Sequence, residues 1–327
     1  MKQKKILLTG CAGFIGSHLS EKLLGMNYQL TGIDNFDPFY PASIKLANMA
    51  SFKDHPNFRF IEADLADAEK LKQLFPEGID LVVHLAGKAG VRPSIEDPAG
   101  YIRANITATQ NVLEMMKLHG VSRMAFASSS SVYGNTKTTP FSEAMDVSNP
   151  ISPYAATKKA CELINYTAHY LHHFSIVNMR FFTVFGPRQR PDLAIHKFTR
   201  LIRSGAPVTM FGDGSTARDY TYIDDTIQGI LGAIDYLFAN EDVYETVNLG
   251  NNQPVLLRDM IASIYKATGE RPNIEHLPMQ PGDVEITYAD ITRAKQLFDY
   301  EPQHDFDEGI KAFVSWYDAG NEKPTNL

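Results

Sequence analysis

The first half of the chain alternates short apolar runs with longer stretches of helical spacing. Such alternation predicts strand–helix–strand units, in which parallel strands are buried on both faces of a sheet. Because crossovers between parallel strands are right-handed, the units predict an α/β fold with a doubly wound parallel sheet. The predicted strands are residues 5–9, 28–33, 58–62, 81–85, 124–127 and 175–181, and the predicted helices are 14–24, 67–75, 101–119 and 153–173.

The pattern loosens after Gly186-Pro187, where glycine, proline and arginine become frequent up to residue 219. Elements return later, with helices predicted at 221–239, 257–268 and 306–317 and a strand at 245–249. We interpret this part as a smaller C-terminal lobe interleaved with the sheet domain.

Composition excludes several classes of protein. The 327 residues are 44% hydrophobic and 21% charged, as in ordinary globular proteins. No apolar run approaches the ~18 residues that span a membrane, and Ile6–Leu8 is too short for a signal peptide, so a cytoplasmic location is expected. The net charge of −7 argues against a nucleic-acid partner. Cys11 and Cys161 fit neither a disulfide framework nor a metal-ligand spacing, so no metal is predicted.

A glycine-rich loop, Gly10-x-x-Gly13-x-x-Gly16, follows the first predicted strand and begins a helix. The first glycine permits a tight turn, the second lets backbone approach a pyrophosphate, and the third lets the helix pack on the sheet. The amides of Phe14 and Ile15 then face the phosphates. A glycine-rich connector without a ligand is the alternative.

Polar or small residues end the next strands, at the sheet edge where ligands bind in such folds. Asp34 lies 24 residues after Gly10, where a carboxylate accepts hydrogen bonds from a ribose and repels a 2′-phosphate, which favours NAD over NADP. Asp64-Leu65 could contact the adenine, or could simply form a turn. The small Ala86 and Gly87 would let backbone lie against the cofactor.

A serine run, 128–131, follows the fifth strand, and the next helix carries Tyr154 and Lys158 on one face. A tyrosine titrates near ~10, so it needs help to act as a base at neutral pH. A neighbouring ammonium and a positively charged nicotinamide would favour the phenolate. In isolation, this spacing of tyrosine and lysine is commonplace on helices.

Taken together, these motifs make the whole chain resemble the extended short-chain dehydrogenase/reductase family, in particular its nucleotide-sugar epimerases and dehydratases. The resemblance implies a Rossmann-like fold and tightly bound NAD. It implies catalytic roles for Ser129, Tyr154 and Lys158. The implied cofactor contacts are Gly10, Gly13, Phe14, Ile15, Gly16, Asp34, Asn35, Asp64, Leu65, Leu85, Ala86, Gly87, Asn105, Tyr154, Lys158 and Phe182.

The dehydratases that the chain resembles carry Asp-Glu where this sequence has Ser130-Ser131. Serine is a poor substitute for the acid and base that eliminate water. The related decarboxylases carry Glu at the position of Ser131. The resemblance therefore favours epimerisation, which needs only hydride shuttling.

Three segments, 85–94, 180–194 and 279–284, look like the corresponding parts of UDP-glucuronic acid 4-epimerases. That likeness makes Arg190 the ligand of the sugar carboxylate, because a guanidinium fork matches a carboxylate. Arg188 and Arg190 on a solvated loop are the alternative. Lys88 and Ala127 depart from the family pattern. The implied substrate contacts are Arg92, Ser94, Ser129, Ser130, Thr183, Arg190, Arg218 (diphosphate) and Asp283 (uridine ribose).

The predicted function is NAD-dependent epimerisation at carbon 4 of UDP-glucuronate, giving UDP-galacturonate through a 4-keto intermediate. The alternatives are a 4-epimerase of a neutral UDP-hexose or UDP-N-acetylhexosamine, and a non-catalytic NAD-binding regulator. The predicted NAD-binding domain is residues 1–186, with 220–250 returning to it, and the nucleotide-sugar lobe is 187–219 and 251–327. Helices 101–119 and 153–173 resemble those that form a homodimer interface in this family, although their apolar faces could instead cover the sheet.

Overall fold

The computed structural model describes residues 3–278 and 285–320. The strands are β1 (Lys5–Thr9), β2 (Gln29–Asp34), β3 (Phe58–Glu62), β4 (Leu81–His84), β5 (Arg123–Ser129), β6 (Ser175–Phe181), β7 (Thr183–Phe185), β8 (Val208–Phe211), β9 (Ala217–Tyr222), β10 (Tyr244–Leu249), β11 (Pro254–Leu256) and β12 (Ile274–Leu277). The helices are α1 (Phe14–Gly25), α2 (Ala42–Met49), α3 (Ala68–Leu74), α4 (Val91–Glu96), α5 (Pro98–Tyr101), α6 (Ala108–Leu118), α7 (Pro153–His172), α8 (Ala194–Arg203), α9 (Ile223–Ala239), α10 (Leu257–Thr268), α11 (Thr292–Phe298) and α12 (Phe306–Asp318).

Seven parallel strands form the central sheet, in the order β10-β6-β5-β4-β1-β2-β3. The order reverses between β1 and β4, which opens a crevice at the carboxyl ends of these two strands. The predicted doubly wound α/β fold is confirmed.

Both faces of the sheet are buried, as a parallel sheet requires. Ile6 and Leu8 of β1 belong to one core with α1 and α9, whereas Leu7 belongs to a second core with α6 and α7. Successive side chains of one strand thus enter opposite cores, which explains the uninterrupted apolar run in the sequence.

The smaller sheets lie in the second half of the chain. In one, β7 pairs in parallel with β9, and β11 pairs antiparallel with β9. In the other, β8 pairs in parallel with β12. Helix α8 lies in the glycine- and proline-rich segment where no helix was predicted, although Ile195, Phe198 and Ile202 recur there at helical spacing.

The predicted helix 101–119 is not a single α-helix. Residues Ile102–Thr107 form a π-helical turn between α5 and α6. The turn contains Asn105, whose side chain bonds to the backbone of Lys88 and to Thr157 instead of facing solvent. One extra residue per turn is the usual form of such a bulge, and bulges of this kind are frequent at functional sites.

Within the described ranges, no helix has the length and apolar character needed to cross a membrane.

A Gly16→Ala substitution is expected to destabilise the fold strongly. A Cβ at Gly16 would lie 2.0 Å from the carbonyl oxygen of Gly10, a backbone atom that cannot move without shifting the loop. The expected loss is about 3 kcal/mol of the free energy of unfolding, or more. Urea unfolding measures it.

Gly25→Ala is the matched control on the same helix, because a Cβ there meets no atom within 4 Å. It should be neutral or stabilising by up to about 1 kcal/mol. Equal midpoints for the two variants would show that the Gly10–Gly16 contact does not limit stability.

Candidate active site

A cleft of about 400 Å³ lies at the carboxyl ends of the central strands. It collects side chains from segments far apart in the sequence. The predicted site residues that line it are Gly10, Gly13, Phe14, Ile15, Gly16, Asp34, Asn35, Asp64, Leu65, Leu85, Ala86, Gly87, Ser129, Ser130, Tyr154, Lys158, Phe182, Thr183 and Arg190.

The glycine loop forms the floor of the cleft at the N-terminus of α1. Gly10 has a φ of +74°, which favours glycine, and a Cβ there would meet the amide of Ala86 at 2.9 Å. Gly13 is the N-cap and provides no side-chain cap for the first-turn amides. Exposed amides at a helix N-terminus form a site for a phosphate group.

Asp34, at the end of β2, is buried and lies against a lysine that the sequence analysis missed. Its Oδ1 accepts hydrogen bonds from the amide of Phe36 at 2.8 Å and from Nζ of Lys45 at 3.2 Å. Its Oδ2 accepts one from the amide of Ala12 at 3.3 Å. Lys45 lies on α2, a helix that was not predicted, so no motif linked it to Asp34.

Tyr154 and Lys158 lie one turn apart on α7, and both are buried. Nζ of Lys158 donates to the carbonyl of Ala127 at 2.7 Å, and burial lowers the pKa of its ammonium. Burial raises the pKa of the Tyr154 phenol, while the Ser129 hydroxyl and the charge of Arg190 oppose the rise. The groups that make Tyr154 more acidic here are therefore Ser129 and Arg190, and Lys158, which was predicted for this role, is not among them.

Asn105 lies behind the cleft wall and supports it from the π-helical turn. Its Oδ1 accepts from the amide of Lys88 at 2.8 Å, and its Nδ2 donates to Thr157 at 2.9 Å. Next to it, His84 is held between the hydroxyls of Thr9 and Thr109, and burial lowers the pKa of its imidazole to about 3. A neutral histidine thus ties β1 and β4 to α6.

Arg190 faces the cleft from the loop after β7, and its side chain is largely buried. Its Nε and Nη2 form a forked pair with Asp192 at 2.9 and 2.7 Å, and its guanidinium stacks on the ring of Phe39. Arg188, on the same loop, pairs with Glu21 of α1 at 2.7 Å. Neither arginine extends freely into solvent, since each is held by a carboxylate and its side chain is only 20% (Arg188) or 17% (Arg190) exposed.

Several predicted substrate contacts do not line this cleft. The Ser94 hydroxyl is buried and donates to the carbonyl of Val91 at 2.6 Å. Arg92 is exposed on α4, and Arg218 lies on β9, where its Nη1 donates to the carbonyl of Ala217. Asp283 lies outside the described residues. No group of three potential metal ligands occurs in the described ranges.

Most of the chain is similar in sequence to known proteins. Residues 7–313 match the sequence profile of the family described as GDP-mannose 4,6 dehydratase. The chain is 40% identical, over 95% of its own length and 95% of the other, to a UDP-glucuronate 4-epimerase of Thermodesulfobacterium geofontis.

Solved structures of UDP-sugar 4-epimerases are also similar to this chain. A Bacillus cereus UDP-glucuronic acid 4-epimerase, in complex with UDP-glucuronic acid and NAD, is 37% identical with a TM-score of 0.88 and covers 96% of this chain and 99% of its own. A Methanobrevibacter ruminantium UDP-N-acetylglucosamine 4-epimerase, in complex with UDP-N-acetylmuramic acid, is 29% identical with a TM-score of 0.87 and covers 98% and 99%.

Proposed function

Since this chain belongs to the GDP-mannose 4,6 dehydratase family, we propose that it interconverts UDP-glucuronate and UDP-galacturonate by NAD-dependent epimerisation at carbon 4. The observation that carries the proposal is the position of Arg190. Its guanidinium lines the same cleft as Tyr154, close enough for its charge to act on the phenol. A cation beside the base fits a sugar that carries a carboxylate.

The cleft fits NAD at the residues that the sequence analysis chose. The uncapped first turn of α1 fits the pyrophosphate, Asp34 fits a ribose with two free hydroxyls, and Lys158 fits the nicotinamide ribose. When bound, NAD supplies the hydride acceptor and donor for carbon 4 of the sugar. Asp64-Leu65 lines the cleft near Asp34, where the adenine would lie.

Tyr154 takes the proton of the 4-hydroxyl, and Ser129 hydrogen-bonds the same oxygen and orients it. Burial raises the pKa of the phenol, whereas Ser129, Arg190 and the positive charge of a bound nicotinamide would lower it and so favour the phenolate that acts as the base. Ser130 and Ser131 carry no carboxyl group, which leaves no acid–base pair for dehydration. Once the 4-keto sugar has turned over in the cleft, so that the opposite face of carbon 4 meets the hydride donor, Tyr154 returns the proton to the 4-oxygen.

A 4-keto uronate is a β-keto acid. It loses carbon dioxide when the bond between its ring and its carboxylate is aligned with the π orbital of the ketone. The residues that would hold the carboxylate away from that overlap are Arg190 and Thr183, both on the cleft wall. The Asp192 carboxylate occupies the Arg190 fork. A substrate carboxylate would replace it or share the guanidinium with it.

The same ion pair favours a second candidate. Arg190 is already neutralised by Asp192, so a neutral UDP-hexose or a UDP-N-acetylhexosamine is the alternative substrate. A non-catalytic NAD-binding regulator is less well supported, because a sensor needs none of Ser129, Tyr154 and Lys158.

The remaining assignments are part of the proposal. Residues 1–186 and 220–250 would form the NAD-binding domain, since β10 pairs with β6 in the central sheet. Residues 187–219 and 251–327 would form the nucleotide-sugar lobe, with Arg92, Ser94, Arg218 and Asp283 completing the substrate site. We place the enzyme in the cytoplasm, where both buried cysteines would remain thiols.

We also propose a homodimer that forms through α7 and α6. Leu163, Tyr166 and Tyr170 recur on one face of α7 and are 58, 52 and 71% exposed. Leu171 of α7 and Leu118 of α6 are exposed as well. An exposed apolar patch of this kind marks an interaction surface.

Leu163→Glu should convert the dimer into a monomer, because a carboxylate would be buried in the interface. Light scattering after size exclusion at micromolar concentration measures the mass. Leu46→Glu is the control, since Leu46 on α2 is exposed to the same degree, 57%, away from that face. A wild-type monomer, or identical behaviour of the two variants, would refute the interface.

The function is tested by incubating the purified protein with UDP-glucuronate, UDP-glucose and UDP-N-acetylglucosamine without added NAD. We expect NAD(H) in the purified protein and conversion of UDP-glucuronate to UDP-galacturonate, read by chromatography. Tyr154→Phe should keep the bound NAD and lose about 10²–10⁴-fold in rate. Faster turnover of a neutral sugar would favour the second candidate, and a requirement for NADP would contradict the cofactor assignment.

Arg190→Ala should weaken the binding of UDP-glucuronate much more than that of UDP. Loss of a charge-assisted pair costs about 1.5–3 kcal/mol, or about 10–150-fold. A decarboxylated UDP-pentose product should also appear, because the freed carboxylate can rotate into overlap with the ketone.

Arg200→Ala, at an exposed position on α8, is the control and should change neither measurement. Arg188→Ala is unsuitable because Arg188 anchors the loop to Glu21. Equal, small effects of Arg190→Ala on substrate and UDP would remove Arg190 from the carboxylate site.

A further inference from the structure

A buried ion pair joins α7 to β6 directly beneath the serine run. Nε and Nη2 of Arg180 form a fork with the two carboxylate oxygens of Glu162, each at 2.9 Å. The two residues are only 3 and 2% exposed. Burial would raise the pKa of Glu162, but the fork from Arg180 and then the Ser128 hydroxyl outweigh it, so the pKa lies below its usual value and the pair is charged.

The pair holds both ends of the segment 128–133. At the first end, the Ser128 hydroxyl donates to Oε1 of Glu162 at 2.7 Å. At the other end, Nη1 of Arg180 donates to the hydroxyl of Tyr133 at 3.0 Å, and that hydroxyl donates to Asn248 of β10 at 2.7 Å. Ser129 and Ser130, which line the cleft, lie between these two anchors.

Glu162 also lies on the same face of α7 as Tyr154 and Lys158. It lies one helical turn after Lys158 and two turns after Tyr154, so all three share one face of α7. A helix is rigid over two turns. Any shift of Glu162 relative to Arg180 would therefore move the phenol and the serine segment relative to each other.

We propose that the Glu162–Arg180 pair is a positioning device for catalysis: it fixes the Ser129 hydroxyl against Tyr154 by holding the segment 128–133 at Ser128 and Tyr133. This inference rests on the proposed function, in which these two groups share the 4-hydroxyl of the sugar. Neither Glu162 nor Arg180 touches the substrate, and both act through the groups that they hold.

The geometry distinguishes this role from mere stabilisation. A buried ion pair is often replaceable by apolar side chains without loss of stability. An apolar pair, however, has no donor for the Tyr133 hydroxyl and no acceptor for that of Ser128. The three nitrogens of the Arg180 guanidinium are all in use, which is the arrangement needed to fix direction as well as distance.

The acidity of Tyr154 reports on this positioning. The groups that face its phenol are Ser129 of β5, the guanidinium of Arg190, the ring of Tyr101, and Lys158 one turn along its own helix. Of these groups, only Ser129 lies in the segment that the pair holds at both ends, and within that segment its hydroxyl is bonded to the hydroxyl and the amide of Ser131. If Ser129 moves away, the pKa of Tyr154 rises, because the hydroxyl no longer opposes the effect of burial.

The test uses the intact enzyme with its bound NAD and three variants. Tyr133→Phe removes one hydroxyl and leaves the ion pair, Arg180→Lys keeps the charge without the fork, and Glu162→Gln removes the charge. We expect kcat to fall about 10-fold or more, while KM and the NAD content stay within about twofold. The ascending limb of the pH–kcat profile should move up by about half a unit or more.

Asn165→Ala is the matched control. Nδ2 of Asn165 donates to Oδ1 of Asn178 at 2.8 Å, so this variant also breaks a fully buried contact between α7 and β6, but one that lies a turn away from the pair. It should lower the melting temperature and leave kcat and the pH profile unchanged. The same loss of kcat and the same pH shift in Asn165→Ala and Tyr133→Phe would overturn the proposal.

An unchanged pH profile in Tyr133→Phe would also overturn it. If Glu162→Gln or Arg180→Lys fails to fold, Tyr133→Phe still decides, because its ion pair is intact. Failure of the proposed function is a separate outcome, since it appears in the wild type. If the wild type converts another UDP-sugar, the same comparison is made with that sugar.

Discussion

A parallel sheet covered on both faces is the constraint from which the rest of the structure follows. Its crossovers place helices on each side, and those helices need small residues where they pack against the strands. Just after β1 the approach is tight, since Gly16 of α1 lies against the carbonyl of Gly10 with no room for a methyl group. This contact fixes the N-terminus of α1 over the crevice at which the strand order reverses, and so places the phosphate-binding amides there.

The active site is built from the same elements, and it contains several buried charged side chains. Buried charges need partners, as three ion pairs in or beside the cleft illustrate. Asp34 pairs with Lys45, Arg190 with Asp192, and Arg180 with Glu162. The Asp34 and Arg180 pairs each join a strand to a helix, whereas the Arg190 pair braces its own loop, so the electrostatics of the site and the rigidity of its walls have one origin.

Tyr154 shows how the environment prepares a weak acid for catalysis. Burial makes its phenol less acidic, and Ser129 and Arg190 oppose that effect. The position of Ser129 depends in turn on Ser128 and Tyr133, which are hydrogen-bonded to Glu162 and Arg180 respectively. The acidity of the base is thus coupled to packing between α7 and β6.

The sequence by itself determined the sheet, its strands and the residues that meet at its carboxyl edge, because apolar runs and a glycine spacing are local signals. It predicted β1, β3 and β6 with their observed bounds, and it selected the glycine loop, Asp34, Tyr154 and Lys158, which all line one cleft. Resemblance to a family added Arg190. The tertiary structure alone decided which charges meet. Lys45 approaches Asp34 from an unpredicted helix, and Arg190 meets Asp192 instead of solvent. The π-helical turn at Asn105 arises because its side chain finds partners in the Lys88 backbone and Thr157. The contacts of Lys45 and Asn105 join separate elements, which no local pattern of residues encodes, whereas Arg190 and Asp192 are neighbours in one loop.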